Sequence, residues 1–204
     1  MSPPSHLWIA QQLVHPLFMG IVLPAYKLGG KYLLILLQQL HILSKAVHWK
    51  EKRGKKPGYF PRSLPGGLAV LASHQLQKLG RINQYRKHVA QLYEKALMSE
   101  HVLTPTFPDR EHIYLRFPVR HTDAHGMIRK AWDKNMLIGD WYTSPVVPDD
   151  TQLDAVGYRK GSCPVAEKLA AETLNLPTHI NMREQDVQDI IQFMKSYGGS
   201  RDTE

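Results

Sequence analysis

Two histidines, His121 and His125, stand four residues apart in a stretch that predicts a helix. Within a helix, a four-residue spacing could present both imidazoles on one face, where two nitrogen ligands could hold a metal ion. The carboxylate of an HExxH motif, which would complete such a site, does not accompany them. We therefore expect no metal site at this position.

Cys163 is the single cysteine of the chain, and it precedes Pro164 at the predicted start of a helix. A thiol at a helix N-terminus can become a nucleophile, but the sequence offers no evident histidine partner for it. We expect a capping or packing role instead. A single cysteine also excludes an internal disulfide bond, which fits a reducing cytoplasm.

Arg159 lies between Gly157 and Gly161 in an irregular stretch at residues 143–161. A guanidinium group can bind an anion through two parallel hydrogen bonds, and long loops often carry ligand contacts. The alternative is a solvated loop arginine. The residues alone leave both interpretations open.

The helices and strands that the sequence predicts around these residues indicate an α+β fold. Apolar residues recur at three- and four-residue steps from Leu68 to Leu97, which predicts one long helix. We expect a small two-layer domain after it, with a short, mostly antiparallel sheet and helices on one face. Strands are expected at residues 112–119, at 137–141 and near Leu176. Helices are expected up to Lys134 with Thr122 or Asp123 as the cap, from Cys163 onward, and at residues 183–197 with Asn181 as the cap.

The first part of the chain is unusually apolar. Residues 6–19 and 31–47 predict two helices, with Pro24, Gly29 and Gly30 between them. Their apolar surface is wider than one helical stripe, so something must cover it. A partner domain, a partner subunit or the acyl boundary of a membrane could do so.

The net charge of +8 is concentrated in the connector that follows. Residues 45–62 hold seven lysines and arginines against the single acidic residue Glu51. A solvated linker is one interpretation, and attraction of the 1–62 segment to an anionic membrane surface is another. No zinc-finger, RRM or KH signature accompanies the basic run, so we expect no nucleic-acid partner.

Composition and pattern together predict the domain organisation. We expect an apolar helical segment at residues 1–50, a basic linker rich in Pro and Gly at 51–64, a small domain including the long helix at 65–198, and a disordered tail at 199–204. The longest apolar stretch, residues 32–43, is shorter than the ~20 apolar residues that span a bilayer. The chain start also lacks a basic n-region. We expect a cytoplasmic protein, with membrane-peripheral attachment as the alternative.

Three segments resemble one known family, in the order and spacing that the family shows. The first segment resembles the family's long interdomain helix. The second resembles its substrate-side strand and loop, and the third resembles the end of its chains. The matching residues are Gln75, Leu76, Asn83, Arg86, Ala90 and Tyr93; then MLIGDWYTSPVVP at 136–148; then Pro164, Ala166, Glu167, Leu176 and Pro177. From about residue 64 to 198, the chain resembles the C-terminal part of DegT/DnrJ/EryC1/StrS aminotransferases.

This resemblance implies a fold-type I aminotransferase, usually a homodimer, that uses pyridoxal phosphate to aminate a nucleotide-linked keto sugar. In that family the lysine that carries the cofactor and the aspartate that holds its ring nitrogen precede the long helix. Lys27, Lys31 and Lys45 stand in no such context here. We therefore carry over no catalytic or cofactor-binding residue. We expect a C-terminal part of an aminotransferase that binds no pyridoxal phosphate alone and is inactive by itself.

The resemblance also implies where substrate binds. Trp141 and Tyr142 precede the loop in which the family places substrate contacts, so they could stack on or hydrogen-bond to the sugar nucleotide. Aromatic packing in the core is the alternative for both. With Arg159 they form our predicted set of substrate-binding residues.

A function of a different class also stays open. The apolar helices and the basic linker could dock on a membrane surface or on another protein. In that case the chain is a non-catalytic interaction module.

Overall fold

The computed structural model of the chain describes residues 2–22, 24–25, 29–40, 42–44, 47–58, 60, 62–97 and 109–198. The chain divides into two compact units, residues 1–78 and residues 79–204. The tail at 199–204 lies outside the described residues, as do Lys27 and Lys45. All three predicted substrate-binding residues belong to the second unit.

The first unit is helical. Helix α1 spans His6–Val22, α2 spans Gly30–Gln39 and α3 spans Gly66–Leu76, and a short 3-10 helix lies at Glu51–Arg53. Helix α1 packs against both α2 and α3. Three buried side chains, those of Val22, Leu37 and Leu43, form its core.

Helix α2 ends earlier than the sequence predicted. It stops at Gln39, whereas the apolar pattern predicted a helix over residues 31–47. The amides of Ile42 and Leu43 both donate to the carbonyl oxygen of Leu37, at 2.9 and 3.1 Å, which turns the chain. The turn buries Leu43 in the small core, and this burial offsets the helical hydrogen bonds that are given up.

Much of the apolar surface of the first unit is exposed. Leu7 is 82% exposed, Tyr32 is 76% exposed and Leu17 is 68% exposed. Among the described residues, no helix combines the length and the apolar character needed to cross a bilayer. The unit therefore carries apolar side chains well beyond those it buries.

The helix expected from Leu68 to Leu97 is divided in two. Helix α3 ends at Leu76, and helix α4 spans Leu79–Leu97. The amide of Lys78 donates to the carbonyl of Gln75 at 3.0 Å, which is a turn-like bond to the third residue back. Gly80, a weak helix former, follows closely. The apolar spacing continues across this break, so the pattern alone predicted one helix.

The second unit is built on a two-stranded antiparallel sheet. Strand β1 (Phe117–Arg120) pairs with β2 (Thr173–Leu176), with Phe117 opposite Leu176. Helices α5 (Ala124–Asp133) and α6 (Pro164–Glu172) lie between the strands in the chain, and α7 (Glu184–Gly198) follows them. Helix α5 contacts β2 and α6, while α4 packs against α7. The expected α+β class and antiparallel pairing are confirmed.

Three local expectations for this unit are wrong. Strand β1 begins at Phe117 rather than at 112, because Tyr114 has a φ of 51°, which interrupts an extended strand. The strand expected at 137–141 is a single bridge between Gly139 and Asn175. Asn181 does not cap α7; the carboxylate of Asp186 accepts the Arg183 amide at 2.9 Å instead.

The core of the second unit lies between α4, the sheet, α5 and α7. Apolar residues at helical spacing on the three helices meet the alternating inward residues of the strands. The buried members are Val89, Ala90, Tyr93, Leu97, Phe117, Val119, Ala124, Met127, Ile128, Ala131, Ile138, Leu174, Leu176, Met182, Val187, Ile190, Ile191, Phe193 and Met194. This core holds the sheet edge on which the candidate site stands.

Thr178 fixes the left-handed conformation of Tyr114. Its hydroxyl lies 2.7 Å from the Tyr114 carbonyl oxygen and 3.1 Å from that of Leu115, and the residue is buried. We expect Thr178→Val, which keeps the side-chain shape, to lower the free energy of unfolding by about 1 to 2 kcal/mol because this donor is lost. Urea unfolding followed by tryptophan fluorescence measures the change.

Thr151→Val is the matched control. The Thr151 hydroxyl oxygen is buried without a hydrogen-bond partner in the described part of the chain. The same substitution should be neutral or stabilising there, because an unpaired polar atom is replaced by an apolar one. Equal losses of stability in the two variants would contradict the role given to Thr178.

Candidate functional site

Trp141 is held from two directions at the edge of the sheet. The guanidinium carbon of Arg116 lies 4.5 Å from the centroid of the indole, which is a cation–π distance. The side-chain amide of Asn175 donates to the Trp141 carbonyl oxygen at 2.5 Å. The residue nevertheless remains 47% exposed. The indole is therefore fixed in place and still accessible from solvent.

Gly139 allows Arg116 to reach this position. The Nη1 atom of Arg116 lies 3.0 Å from the point where a Cβ atom on residue 139 would stand. Gly139 is itself fixed by Asn175, because its amide donates to the Asn175 carbonyl at 2.8 Å and its carbonyl accepts the Asn175 amide at 3.1 Å. Asn175 therefore positions the backbone at Gly139, which leaves room for Arg116 and leads directly to Trp141.

Tyr142 adds a second exposed aromatic side chain directly after Trp141. It is 59% exposed and has a φ of 68°, a conformation uncommon for a tyrosine. The hydroxyl of Thr143 donates to the Asp140 carbonyl oxygen at 2.7 Å, which closes the turn around the two aromatic residues. The turn presents two exposed aromatic side chains where the 143–161 loop begins.

The far end of that loop is tied to helix α6. One carboxylate oxygen of Glu167 accepts the Tyr158 hydroxyl at 2.7 Å and the Gly161 amide at 2.6 Å. The Tyr158 bond, and then the Gly161 bond, lower the pKa of Glu167. The same pairing raises the pKa of Tyr158 to about 12. At neutral pH the Glu167 carboxylate is ionised and the Tyr158 phenol is protonated. In these states the carboxylate accepts both hydrogen bonds that hold the loop.

Arg159 lies between these two anchored residues and is exposed. Its carbonyl oxygen accepts the Ser162 amide at 3.0 Å. Within the described ranges, no hydrogen bond, ion pair or ring contact joins its side chain to Trp141 or Tyr142. The structure thus groups the two aromatic residues and leaves Arg159 apart from them.

In the described part of the chain, two side chains of α4 each carry a buried polar atom that lacks a hydrogen-bond partner. Asn83 Oδ1 and Arg86 Nε are buried, and neither has a hydrogen-bond partner among the residues described. Burial lowers the pKa of the nearby His179; Asp186 opposes this shift and Arg86 adds to it. Buried polar atoms normally have a hydrogen-bond partner, so these two atoms are among the exceptions in the described residues.

The histidine pair and the cysteine have separate hydrogen-bond partners. His121 Nδ1 accepts the Asp123 amide at 3.0 Å, whereas His125 Nε2 lies 3.3 Å from the Ala170 carbonyl oxygen. The described part of the chain contains no group of three His, Cys, Asp or Glu residues that could hold a metal. Cys163 is exposed and stands at the N-cap position of α6, where its carbonyl oxygen accepts the Glu167 amide at 3.0 Å while its side chain makes no capping bond.

The described residues do not by themselves fit pyridoxal phosphate. A lysine that forms an aldimine needs an enclosed pocket that lowers its charge and excludes water. The lysine side chains that the structure describes are exposed or half-buried. We therefore derive no step of amino transfer from residues of this chain.

Arg116 is the site residue that sequence reasoning missed. It stands in the alternating segment at 112–119, where a polar residue is expected on the solvent face of a strand. Its approach to Trp141 depends on the contact between Gly139 and Asn175, which are far apart in the sequence. The one local signal was a glycine directly before the Asp-Trp-Tyr run.

Known proteins of one family match this chain. The model of the DegT/DnrJ/EryC1/StrS aminotransferase family matches residues 36–195. A dTDP-3-amino-3,6-dideoxy-alpha-D-galactopyranose transaminase of Aneurinibacillus thermoaerophilus is 23% identical over 131 residues, which are 64% of this chain and 35% of the relative. A pleiotropic regulatory protein of Geobacillus stearothermophilus is 27% identical over 150 residues, which are 68% of this chain and 40% of the relative.

A solved structure gives the same picture for the fold. DesV of S. venezuelae, in complex with a ketimine intermediate, superposes with a TM-score of 0.58 and 22% identity over 66% of this chain and 36% of DesV. At this identity the likeness shows the fold alone. The chain spans about 35 to 40% of the length of the curated relatives it matches. Because the family match covers most of its length, the chain belongs to the DegT/DnrJ/EryC1/StrS aminotransferase family.

Proposed function

We propose that this chain is the substrate-side, C-terminal portion of a pyridoxal-phosphate-dependent aminotransferase that acts on a nucleotide-linked keto sugar. The observation that carries the proposal is the exposed Trp141–Tyr142 pair, fixed on the sheet edge of a chain of this family. The name of the Aneurinibacillus relative, a transaminase of a dTDP-linked sugar, supports the substrate class.

Each of the three predicted residues has a role in this proposal. Trp141 and Tyr142 offer flat aromatic faces to the sugar or base, and each is more than two-fifths exposed. Arg159 offers a guanidinium to an anionic group of the same ligand. The loop between them is held at its end by Glu167, so that Arg159 extends from a fixed backbone.

Amino transfer itself requires a second part of the enzyme. The cofactor would supply the electron sink for the reaction, and a lysine segment outside the described residues would hold it. We assign residues 65–198 to the small domain, with helices on one face of its sheet, and propose a cytoplasmic homodimer. Alone, the chain is inactive.

A chimeric enzyme tests this function. Residues 36–195 replace the matching segment of the Aneurinibacillus transaminase, and the assay follows amino transfer with the dTDP-linked amino sugar in that relative's name. We expect measurable turnover, and an increase in KM of about tenfold for Trp141→Ala and for Arg159→Ala, with kcat little changed, because binding contacts are removed.

Arg129→Ala is the control variant, since Arg129 is an exposed arginine of α5 outside the site. It should leave KM unchanged. A folded chimera that binds pyridoxal phosphate but shows no turnover would contradict the proposed function. Unchanged KM in both site variants would reject Trp141 and Arg159 as substrate contacts.

A second function is favoured by a separate observation on the first unit. Leu7, Leu17 and Tyr32 are each more than two-thirds exposed there, and a run of lysines and arginines follows the helices. An apolar surface next to basic residues suits a membrane-surface or protein-interaction module. In this alternative the chain acts by docking rather than by catalysis.

Vesicle flotation separates the two functions. We expect a docking module to float with phosphatidylcholine vesicles that contain phosphatidylserine, and to be released as salt screens the charges. Vesicles of phosphatidylcholine alone are the control. If the full chain stays at the bottom of the gradient with both vesicle types at low salt, the membrane form of this alternative is wrong.

A further inference from the structure

We propose that Arg116, stacked on Trp141, is an anion contact of this site and binds the diphosphate of a nucleotide-linked ligand. The identity of the ligand rests on the proposed function; the anion contact rests on the geometry of Arg116. Neither the family resemblance nor the predicted set of site residues includes this arginine.

The stacked position leaves the hydrogen-bond donors of Arg116 available. Its guanidinium carbon lies over the indole of Trp141, 4.5 Å from the ring centroid. In the described part of the chain, no hydrogen bond engages its N–H groups, which lie in the plane of the guanidinium. Two of them can therefore bind the oxygens of a phosphate side by side.

The charge of Arg116 is also available. Within the described ranges, no carboxylate lies within ion-pair distance of it, and the residue is only half-buried. Arg120 and Arg183 differ in this respect, because Arg120 pairs with Glu172 and Arg183 pairs with Asp186. Arg116 thus offers its positive charge to a ligand at a place where an exposed aromatic ring lies beside it.

The backbone fixes where this charge stands. Nη1 of Arg116 lies 3.0 Å from the position of a Cβ atom on Gly139, so any larger residue at 139 would displace the guanidinium. Gly139 has no positive φ, so alanine is not strained there by its own conformation, although its Cβ would also lie 3.3 Å from the Asn175 carbonyl oxygen and require a small adjustment of that strand. This glycine provides a way to move Arg116 without removing its charge.

The test is ligand binding by the full chain, observed through tryptophan indole N–H signals in two-dimensional NMR. Thymidine diphosphate is the probe, with inorganic pyrophosphate and thymidine alone as separate arms. We expect thymidine diphosphate and pyrophosphate to shift the Trp141 signal, while the signals of Trp8 and Trp49 in the first unit stay in place. Thymidine alone should bind at least about tenfold more weakly, because it lacks the anion.

Variants connect the binding to Arg116. We expect Arg116→Ala to weaken thymidine diphosphate binding by about tenfold, Arg116→Lys to recover part of it, and Gly139→Ala to weaken it with the charge still present. Arg129→Ala, which removes the same charge from an exposed position on α5, is the control and should bind normally. Equal losses in Arg116→Ala and Arg129→Ala would show a nonspecific charge effect and overturn the inference.

The NMR binding test of Arg116 and the chimeric-enzyme assay of the proposed function can fail independently. No shift of the Trp141 signal with either anion overturns the Arg116 inference, even if the chimeric enzyme transfers amino groups. Binding of pyrophosphate without preference for the nucleotide overturns the nucleotide-linked part and leaves a site for inorganic anions only. An inactive chimera together with Arg116-dependent binding overturns the proposed reaction and keeps the anion contact.

Discussion

The backbone pairing of Asn175 is the constraint on which the rest of the second unit depends. Its amide and carbonyl both bond to Gly139, at 3.1 and 2.8 Å, so they point away from strand β1. Opposite it on β1 stands Pro118, and because this pair exchanges no bonds, the missing N–H of proline costs the sheet nothing. The side chain of Asn175 then fixes the Trp141 carbonyl. One buried residue thus joins the strand pair to the candidate site.

The same constraint explains how a very small sheet can carry the candidate site. Two strands alone are marginally stable, but helices α4, α5 and α7 enclose the apolar side chains of β1 and β2 in a common core. The bridge to Gly139 lies at the edge of this rigid part. Side chains that follow it, Trp141 and Tyr142, can therefore be exposed and still hold fixed positions, as ligand recognition requires.

Much of this fold could be predicted from local sequence signals. Pro164 marked the start of α6, and the candidate cap residues Thr122 or Asp123 and Asn181 indicated α5 and α7, although Asn181 is not the cap. The break at Gln77 and Lys78 escaped prediction because the apolar pattern continues through it. Strand β1 was predicted too long because the positive φ of Tyr114 depends on Thr178, a distant partner. In the site, Trp141 and Tyr142 came from family resemblance. Arg116 was missed because its stacking depends on a bridge that joins distant parts of the chain.

Amide hydrogen exchange of Gly139 tests this account most directly. The account holds that the Gly139 amide is bonded to Asn175 in the native state and that the site stands on this bond. It predicts that this amide exchanges as slowly as the amides of strand β2, and far more slowly than those of the 143–161 loop. If Gly139 exchanges at the rate of the loop, the bridge does not persist, and neither Trp141 nor Arg116 has the fixed position that the account gives them.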